Sequence, residues 1–179
     1  MMKSTSNRAR APPARRIHRT RQDTTPTPNN GENDMQARLD KTAGKIYAPY
    51  NKWAIQFFRG NGGRYCAADR SWTFQPEIAE YLFRELYGTS DKIVTADVDY
   101  DAAAEFGNVW HIAGYILATR PYRDSRVHLG DGVDVTRGYF PGTGGSIQTP
   151  RVAASYDILF RLEVREDFAN AHNLPVHSA

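Results

Sequence analysis

Apolar residues recur at helical spacing in two segments of the first half of the chain. Between positions 50 and 59 they share one side of a helix, and the run Gly60-Asn61-Gly62-Gly63 that follows tolerates positive φ and ends it. A second helix begins at Pro76, which suits a first helical position, and ends at Gly88, which suits a C-terminal cap. The pattern therefore predicts two amphipathic helices.

Short runs with the composition of strands surround these helices. They cover residues 45–48, 64–67 and 71–74, and Ala68-Asp69-Arg70 forms a polar turn between the last two. In chain order the elements are β-α-β-β-α, and we assign them to a small unit over residues 44–90.

The second half of the chain changes to a period of two, which is typical of strands. The clearest strand is predicted over residues 156–165, where apolar side chains alternate with mostly charged ones. Residues 92–99 and 109–119 are further candidates, and Gly130-Asp131-Gly132 has the composition of a tight hairpin turn. The pattern predicts an antiparallel five-stranded sheet or small barrel over residues 91–169, packed with the first unit, and hence an α+β fold.

Both ends of the chain lack this periodicity. The polar, proline-containing N-terminal segment cannot bury enough surface to offset the entropy of ordering it. We expect residues 1–43 to be a disordered basic arm and residues 170–179 to be a frayed tail. No apolar run approaches the roughly 18 residues that cross a bilayer, and the N-terminus lacks the apolar stretch of a secretory signal. We therefore expect a soluble, cytoplasmic protein without a membrane partner.

The formal net charge of +3 conceals an asymmetry along the chain. The first 22 residues contain seven basic side chains and no acid, so this segment carries +7 and the remaining 157 residues carry −4. Such a density of cations releases counterions when it neutralises phosphates, which favours nucleic acid as a partner. An inert solubilising tail, or an acidic protein or membrane surface as its target, is the alternative. The candidate phosphate contacts of the arm are Arg8, Arg10, Arg15, Arg16, Arg19 and Arg21.

Three further arginines lie around the hairpin of the first unit. Arg59 ends the first helix, and Arg64 and Arg70 flank the turn that leads to Trp72. Arginines beside an aromatic ring can hold phosphates and stack on exposed bases, so these residues form a candidate binding patch. The alternative is that Trp72 is a core residue and that the arginines are ordinary solvated groups.

A basic connection between two predicted strands supplies a second candidate contact with phosphate. Its cations are Arg120, Arg123 and Arg126, and Asp124 partly cancels their charge. The alternative is a solvated loop without a binding role.

The sequence contains no recognisable catalytic signature. The single cysteine, Cys66, excludes an internal disulfide and a multi-cysteine metal site. Asp97, Asp99 and Asp101 recur at every second position, a pattern that can hold a divalent cation in a nuclease. The alternative is a solvated edge strand whose charges prevent aggregation. We favour this alternative and predict no catalytic residue, no metal site and no cofactor.

A group of aromatic residues and turns in the first unit carries a family resemblance. It consists of Tyr47 and Tyr50 before the first helix, Phe57-Phe58-Arg59 within it, Gly62-Gly63-Arg64-Tyr65 after it, then Asp69-Arg70-Ser71-Trp72-Thr73-Phe74 and Leu86-Tyr87-Gly88. Residues 45–88 thereby resemble the HARP-like small domains, which accompany DNA-remodelling motors of the annealing-helicase type and occur in proteins of mobile elements. The resemblance implies an accessory that binds nucleic acid, with any motor on a separate chain.

These features lead us to expect a non-enzymatic accessory protein that binds nucleic acid, DNA rather than RNA, in the context of a plasmid or other mobile element. Two other interpretations stay open. One is a protein-interaction module that inhibits or regulates another enzyme, which the −4 charge outside the first 22 residues favours. The other is a small metal-dependent nuclease that uses the three aspartates.

Overall fold

The computed structural model describes residues 37–177, which lie within one compact unit of the chain. These residues form three helices and three antiparallel sheets of four strands each, so the fold is α+β. In chain order of their first strands, we call them the N-terminal sheet, the central sheet and the hairpin sheet.

The N-terminal sheet has four strands of three residues in the order β1-β2-β4-β3. Its strands are β1 (Arg38–Asp40), β2 (Lys45–Tyr47), β3 (Arg64–Cys66) and β4 (Ser71–Thr73). Helices α1 (Lys52–Gly60) and α2 (Pro76–Tyr87) cover one face, where Ile46 and Trp72 share a core with Phe58 and Leu82. The opposite face, which we call the outer face, carries neither of these helices.

Each of these helices starts at a residue whose chemistry fits that position. Oδ1 of Asn51 accepts hydrogen bonds from the backbone N–H groups of Trp53 and Ala54, at 3.0 and 3.3 Å. These bonds satisfy two donors that a helix start leaves free. Pro76 has no N–H group to satisfy, and Gly88 ends α2 at φ +74°. Both helices therefore lie where the apolar spacing predicts them.

The second half of the chain forms two sheets rather than the single five-stranded sheet or barrel that the sequence predicts. The central sheet has the order β10-β11-β5-β12, and the hairpin sheet has the order β6-β7-β8-β9. The central sheet comprises β5 (Ile93–Asp99), β10 (Val133–Arg137), β11 (Leu159–Arg165) and β12 (Val176–His177). The hairpin sheet comprises β6 (Ala104–Phe106), β7 (Val109–Ile112), β8 (Tyr115–Thr119) and β9 (His128–Leu129).

A turn divides the strand predicted over residues 109–119 into the hairpin β7–β8. Ala113, at φ +44°, and Gly114 reverse the chain there. The N–H of Gly114 donates to the carbonyl of Leu86, and Nδ2 of Asn51 donates to the carbonyl of Gly114. The donor–acceptor distance is 3.2 Å in both hydrogen bonds. The start of α1 and the end of α2 therefore anchor this turn. In the sequence Gly114 marks a bulge or bend within one long strand, and the lack of polar turn residues beside it is why a full reversal of the chain is not predicted.

The N-terminal boundary of the fold lies earlier than the sequence predicts. In β1, Leu39 pairs with Ile46 of β2, so residues 38–40 belong to the N-terminal sheet and not to a disordered arm. Pairing with β2 satisfies the backbone groups of β1 that face that strand, and the buried Ala37 adds apolar contact. The rest of the predicted arm, residues 1–36, lies outside the described residues.

The predicted C-terminal tail is ordered through His177. Helix α3 (Glu166–Ala171) follows β11 directly, and β12 pairs with β5. Phe168 and Leu174 are buried in the core beneath the central sheet. Their burial offsets the entropy of ordering this segment, so the prediction of a frayed tail over residues 170–177 is wrong.

Two hydrophobic cores meet at the β7–β8 turn. One lies between the N-terminal sheet and its helices, and the other lies among the central sheet, the hairpin sheet and α3. Ala113 and Tyr115 pack against both cores. Within residues 37–177 the structure contains no helix of the length and hydropathy that a membrane span requires.

Candidate nucleic-acid interface

Charge is divided unevenly within the described residues. Residues 37–75, which we call the cationic segment, contain α1 and the whole N-terminal sheet and carry seven basic and two acidic side chains. Residues 76–177 carry nine basic and fifteen acidic ones. The basic residues of the cationic segment are Arg38, Lys41, Lys45, Lys52, Arg59, Arg64 and Arg70. One part of the folded body is therefore strongly basic although the body as a whole is not.

Both acids of the cationic segment have partners inside it. Oδ2 of Asp69 lies 2.5 Å from Nζ of Lys45, and its Oδ1 accepts hydrogen bonds from the hydroxyl and the N–H of Ser71. These bonds, led by the one from Lys45, hold the pKa of the Asp69 carboxyl well below its usual range. Oδ1 of Asp40 accepts from the N–H of Ala43 over 3.0 Å. Neither acid is therefore paired with an arginine.

Arg59, Arg64 and Arg70 are exposed, as a binding role requires. Within residues 37–177 no carboxylate lies within 4.0 Å of any of them. They surround β3, which is the edge strand of the N-terminal sheet, and do not share one flat surface. Register places Arg64 opposite Thr73 on the outer face, whereas Arg59 lies near Trp72 on the helix side. Arg70 occupies the turn between β3 and β4.

The exposed aromatic residue beside these arginines is Tyr65 and not Trp72. Trp72 is only 6% exposed and belongs to the core, so the alternative interpretation of it holds. Tyr65 pairs with Trp72 across β3 and β4, with 5.3 Å between the ring centroids, and is 53% exposed. The guanidinium of Arg59 lies 6.0 Å from the Trp72 ring centroid. We call Arg59, Arg64, Tyr65 and Arg70 the β3 edge.

The outer face adds two cations that sequence reasoning did not assign to binding. The guanidinium of Arg38 lies 4.1 Å from the ring centroid of Tyr47, its partner in register. Lys45 and Arg64 both pair with Thr73 and so lie in one row across the sheet. The alternation of Lys45 and Tyr47 is the signal that could have placed both on one face. The sequence does not predict a place for Arg38 on the sheet, because residues 38–40 lie within the predicted disordered arm.

Arg120 is not a surface cation, which corrects its assignment to nucleic-acid binding. It is 1% exposed. Its Nη1 donates to the carbonyls of Arg123, Ser125 and Gly142, and its Nη2 donates to the carbonyl of Pro141. Arg120 therefore joins two loops from the inside and cannot reach a phosphate.

Arg123 and Arg126 remain exposed in the loop that Arg120 supports. Nε of Arg123 lies 3.6 Å from the carboxylate of Asp124, an exposed pair that water screens strongly. These two residues stay candidates for a secondary contact, separate in the chain from the β3 edge.

Two of the three aspartates that the nuclease interpretation needs have other roles in the structure, and the third, Asp101, is exposed. Asp97 is buried, and its carboxylate accepts hydrogen bonds from Nε and Nη2 of Arg161 over 2.8 and 3.1 Å. Asp99 Oδ1 accepts from the N–H groups of Asp101 and Ala102 and so closes a turn. In residues 37–177 no three His, Cys, Asp or Glu side chains are grouped in a way that could hold a metal ion.

The six arginines of the arm, between positions 8 and 21, lie outside the described residues.

Comparison of the chain with protein-family models, with curated proteins and with solved structures gives no match.

Proposed function

We propose that this protein is a non-enzymatic accessory that binds nucleic acid, with DNA favoured over RNA, through the β3 edge. The observation that carries the proposal is the charge of the cationic segment. Arg59, Arg64 and Arg70 project from it without carboxylate partners among residues 37–177. Fixed, unpaired guanidinium groups are well suited to phosphate because each can donate two parallel hydrogen bonds.

The mode of binding follows from the chemistry of these contacts. Phosphates carry no sequence information, so the β3 edge should bind without strong sequence preference. Each neutralised phosphate releases condensed counterions, so affinity should fall steeply as salt is raised. Arg38 extends the positive field across the outer face, where Lys45 is neutralised by Asp69.

Arg8, Arg10, Arg15, Arg16, Arg19 and Arg21 form the second part of the proposal. They precede β1 in the chain, and β1 belongs to the same sheet as β3. A phosphate contact by the arm would add to the affinity of the folded body through effective concentration. The resemblance of residues 45–88 to HARP-like domains, which occur in proteins of mobile elements, supports this proposal by analogy. A cytoplasmic location is also part of the proposal.

A protein-interaction module remains the second candidate function. The observation that favours it is the excess of acidic side chains over residues 76–177, together with exposed tyrosines at positions 122, 139 and 156 on the same part of the chain. Tyrosine is enriched at protein interfaces because its ring is large, rigid and amphipathic. In this case the partner would present basic groups to the acidic part of the body.

Fluorescence anisotropy with a labelled DNA duplex would test the proposal. The full chain is compared with a variant that carries Arg59→Ala, Arg64→Ala and Arg70→Ala, across about 50 to 200 mM salt. The matched control removes the same charge from three exposed arginines elsewhere, Arg84→Ala, Arg137→Ala and Arg151→Ala.

We expect the β3-edge variant to lose at least about tenfold in affinity and to show a salt slope that is smaller by about 2 to 3. The control should change affinity by less than about threefold. Equal effects of the two variants would mean that only total charge matters and would overturn the role of the β3 edge. No binding by the unmodified chain to the duplex or to a single strand of the same length, even at low salt, would favour the protein-partner function.

A further inference from the structure

Tyr65 differs from the other aromatic residues of the N-terminal sheet in being both exposed and rigidly supported. Its ring lies against Trp72, and Trp72 in turn packs on Phe58 at 5.4 Å between centroids. The Tyr65 side chain is 53% exposed, so part of the ring is open to solvent. The ring therefore presents a supported, open aromatic surface at the free edge of the sheet.

The geometry of β3 determines where the neighbouring arginines lie relative to the Tyr65 ring. Tyr65 follows Arg64 in the same strand, so the two side chains project on opposite sides of β3. Arg59 lies on the side of Tyr65, near Trp72, and Arg70 lies at the end of the same hairpin. A polyanion at this edge would therefore meet Arg59 on the face of the ring, and Arg64 where it passes around β3 to the outer face.

An unpaired base fits this arrangement better than a base pair. Every base has a flat π face that stacks on tyrosine, and stacking of this kind does not depend on sequence. In a duplex these faces are occupied by neighbouring base pairs, and only the phosphates and groove edges are accessible. The strands of the hairpin are three residues long, or roughly 10 Å, which is short for a ribbon that must follow a major groove.

We propose that the β3 edge binds single-stranded nucleic acid, with a base stacked on Tyr65 and the flanking phosphates held by Arg59, Arg64 and Arg70. This inference rests on the proposed function and specifies its substrate class. It assigns to Tyr65 a contact with ligand that the arginines alone would not need.

The test compares the affinity of the full chain for two labelled probes at one salt concentration. One is an oligothymidylate of about 20 nucleotides, and the other is an abasic deoxyribose-phosphate oligomer of the same length, which has the same charge but no bases. A duplex of equal length is the third probe. The variants are Tyr65→Ala, Tyr65→Leu and Tyr65→Phe, with Tyr81→Ala as the control because Tyr81 is 52% exposed on α2.

We expect Tyr65→Ala and Tyr65→Leu to weaken oligothymidylate binding by about tenfold or more, and Tyr65→Phe and Tyr81→Ala to weaken it by less than about twofold. Affinity for the abasic oligomer and for the duplex should be unchanged in all variants. Leucine keeps apolar contact with Trp72, so a loss in Tyr65→Leu separates stacking from a folding defect.

Three outcomes would overturn this inference. The first is oligothymidylate affinity that is unchanged in Tyr65→Ala, and the second is an equal loss for oligothymidylate, abasic oligomer and duplex. The third is equal affinity of the unmodified chain for oligothymidylate and abasic oligomer. In all three the arginine contacts and the proposed function stand. If the unmodified chain binds none of the probes, both the inference and the proposed function fail.

Discussion

Asp97 on β5 holds His177 on β12, with 2.7 Å between Oδ2 of the carboxylate and Nε2 of the imidazole. The same carboxylate accepts two hydrogen bonds from Arg161 on β11. The N–H of Asp97 donates to the carbonyl of Pro175 over 2.9 Å. A single residue thus fastens the neighbouring strand and the last described strand to the centre of the sheet.

Replacement of His177 should loosen β12. We expect His177→Ala to lower the free energy of unfolding by only about 1 kcal/mol, because the imidazole is partly exposed and water can replace its hydrogen bond to Asp97. Local opening should increase more, so the N–H of Asp97 should exchange with solvent deuterium markedly faster. His128→Ala, on the exposed strand β9, is the control. Unchanged exchange at Asp97 would show that the backbone bond to Pro175 is sufficient to hold β12.

The Asp97 carboxylate should make stability depend on pH in the acid range. Hydrogen bonds from Arg161 hold its pKa below the usual range although burial opposes this. A carboxyl whose pKa is lower in the folded state than in the unfolded state stabilises the fold. The contribution is complete at pH values above the unfolded-state pKa of about 3.9, and it is lost as the pH falls through the folded-state pKa.

We therefore expect Asp97→Asn to lower Tm at pH 5 to 7, corresponding to about 2 kcal/mol, and the difference to shrink as pH falls below about 3.9 toward the lowered pKa of the folded carboxyl. Thermal melts across this range measure the difference. A difference in Tm that stays constant with pH would contradict the prediction, because it would then arise from shape and not from charge.

Arg120 should be far more important for stability than the arginines beside it in sequence. Its guanidinium is buried, and the hydrogen bonds it donates all go to backbone carbonyls. Arg120→Met would remove this donor from the carbonyls of Ser125, Pro141 and Gly142, whereas the carbonyl of Arg123 keeps the N–H of Gly144, so we expect a loss of about 3 kcal/mol in denaturant melts. The exposed Arg123→Met should change stability by less than about 0.5 kcal/mol. Equal effects would mean that water replaces the guanidinium without cost.

The β7–β8 turn should not tolerate a side chain at Gly114. A Cβ there would lie 2.3 and 2.4 Å from Cε1 and Cζ of the buried Tyr87 ring. We expect Gly114→Ala to lower the free energy of unfolding by about 2 kcal/mol because the ring or the turn must shift. Gly142→Ala is the control, since nothing lies within 4 Å of a Cβ at that position. A neutral Gly114→Ala would mean that the ring moves freely within its core.

Local pattern was sufficient for the helices but not for the division of the strands. Helical spacing and the residues Pro76 and Gly88 predict α2 directly, because each of these signals acts within one turn. The prediction of one strand over residues 109–119 is wrong because the chain reverses at Ala113 and Gly114. Hydrogen bonds from the start of α1 and the end of α2, which are distant in sequence, hold this turn. Sheet membership depends on such long-range contacts, so a single sequence does not reveal it.

The candidate site shows the same limit. Exposure of Arg59, Arg64 and Arg70 follows from their place at the end of a helix and in a hairpin, both local features. Burial of Arg120 depends on carbonyls of Pro141 and Gly142, about twenty residues further along, and a basic residue is normally assigned to the surface. Tyr65 and Trp72 differ in exposure because only one of them lies on an internal strand, which the sequence does not reveal.

The contacts around Gly114 determine whether the first unit could be separated from the rest of the chain. Asn51 and Leu86 both bond to Gly114, and the hydroxyl of Tyr115 donates to the carbonyl of Tyr87. A chain cut after residue 90 would lose all of these contacts and leave part of its core open to water. The N-terminal sheet and its helices therefore depend on the β7–β8 turn for part of their burial, and a transfer of residues 38–90 to another protein would require a substitute for Ala113 and Tyr115.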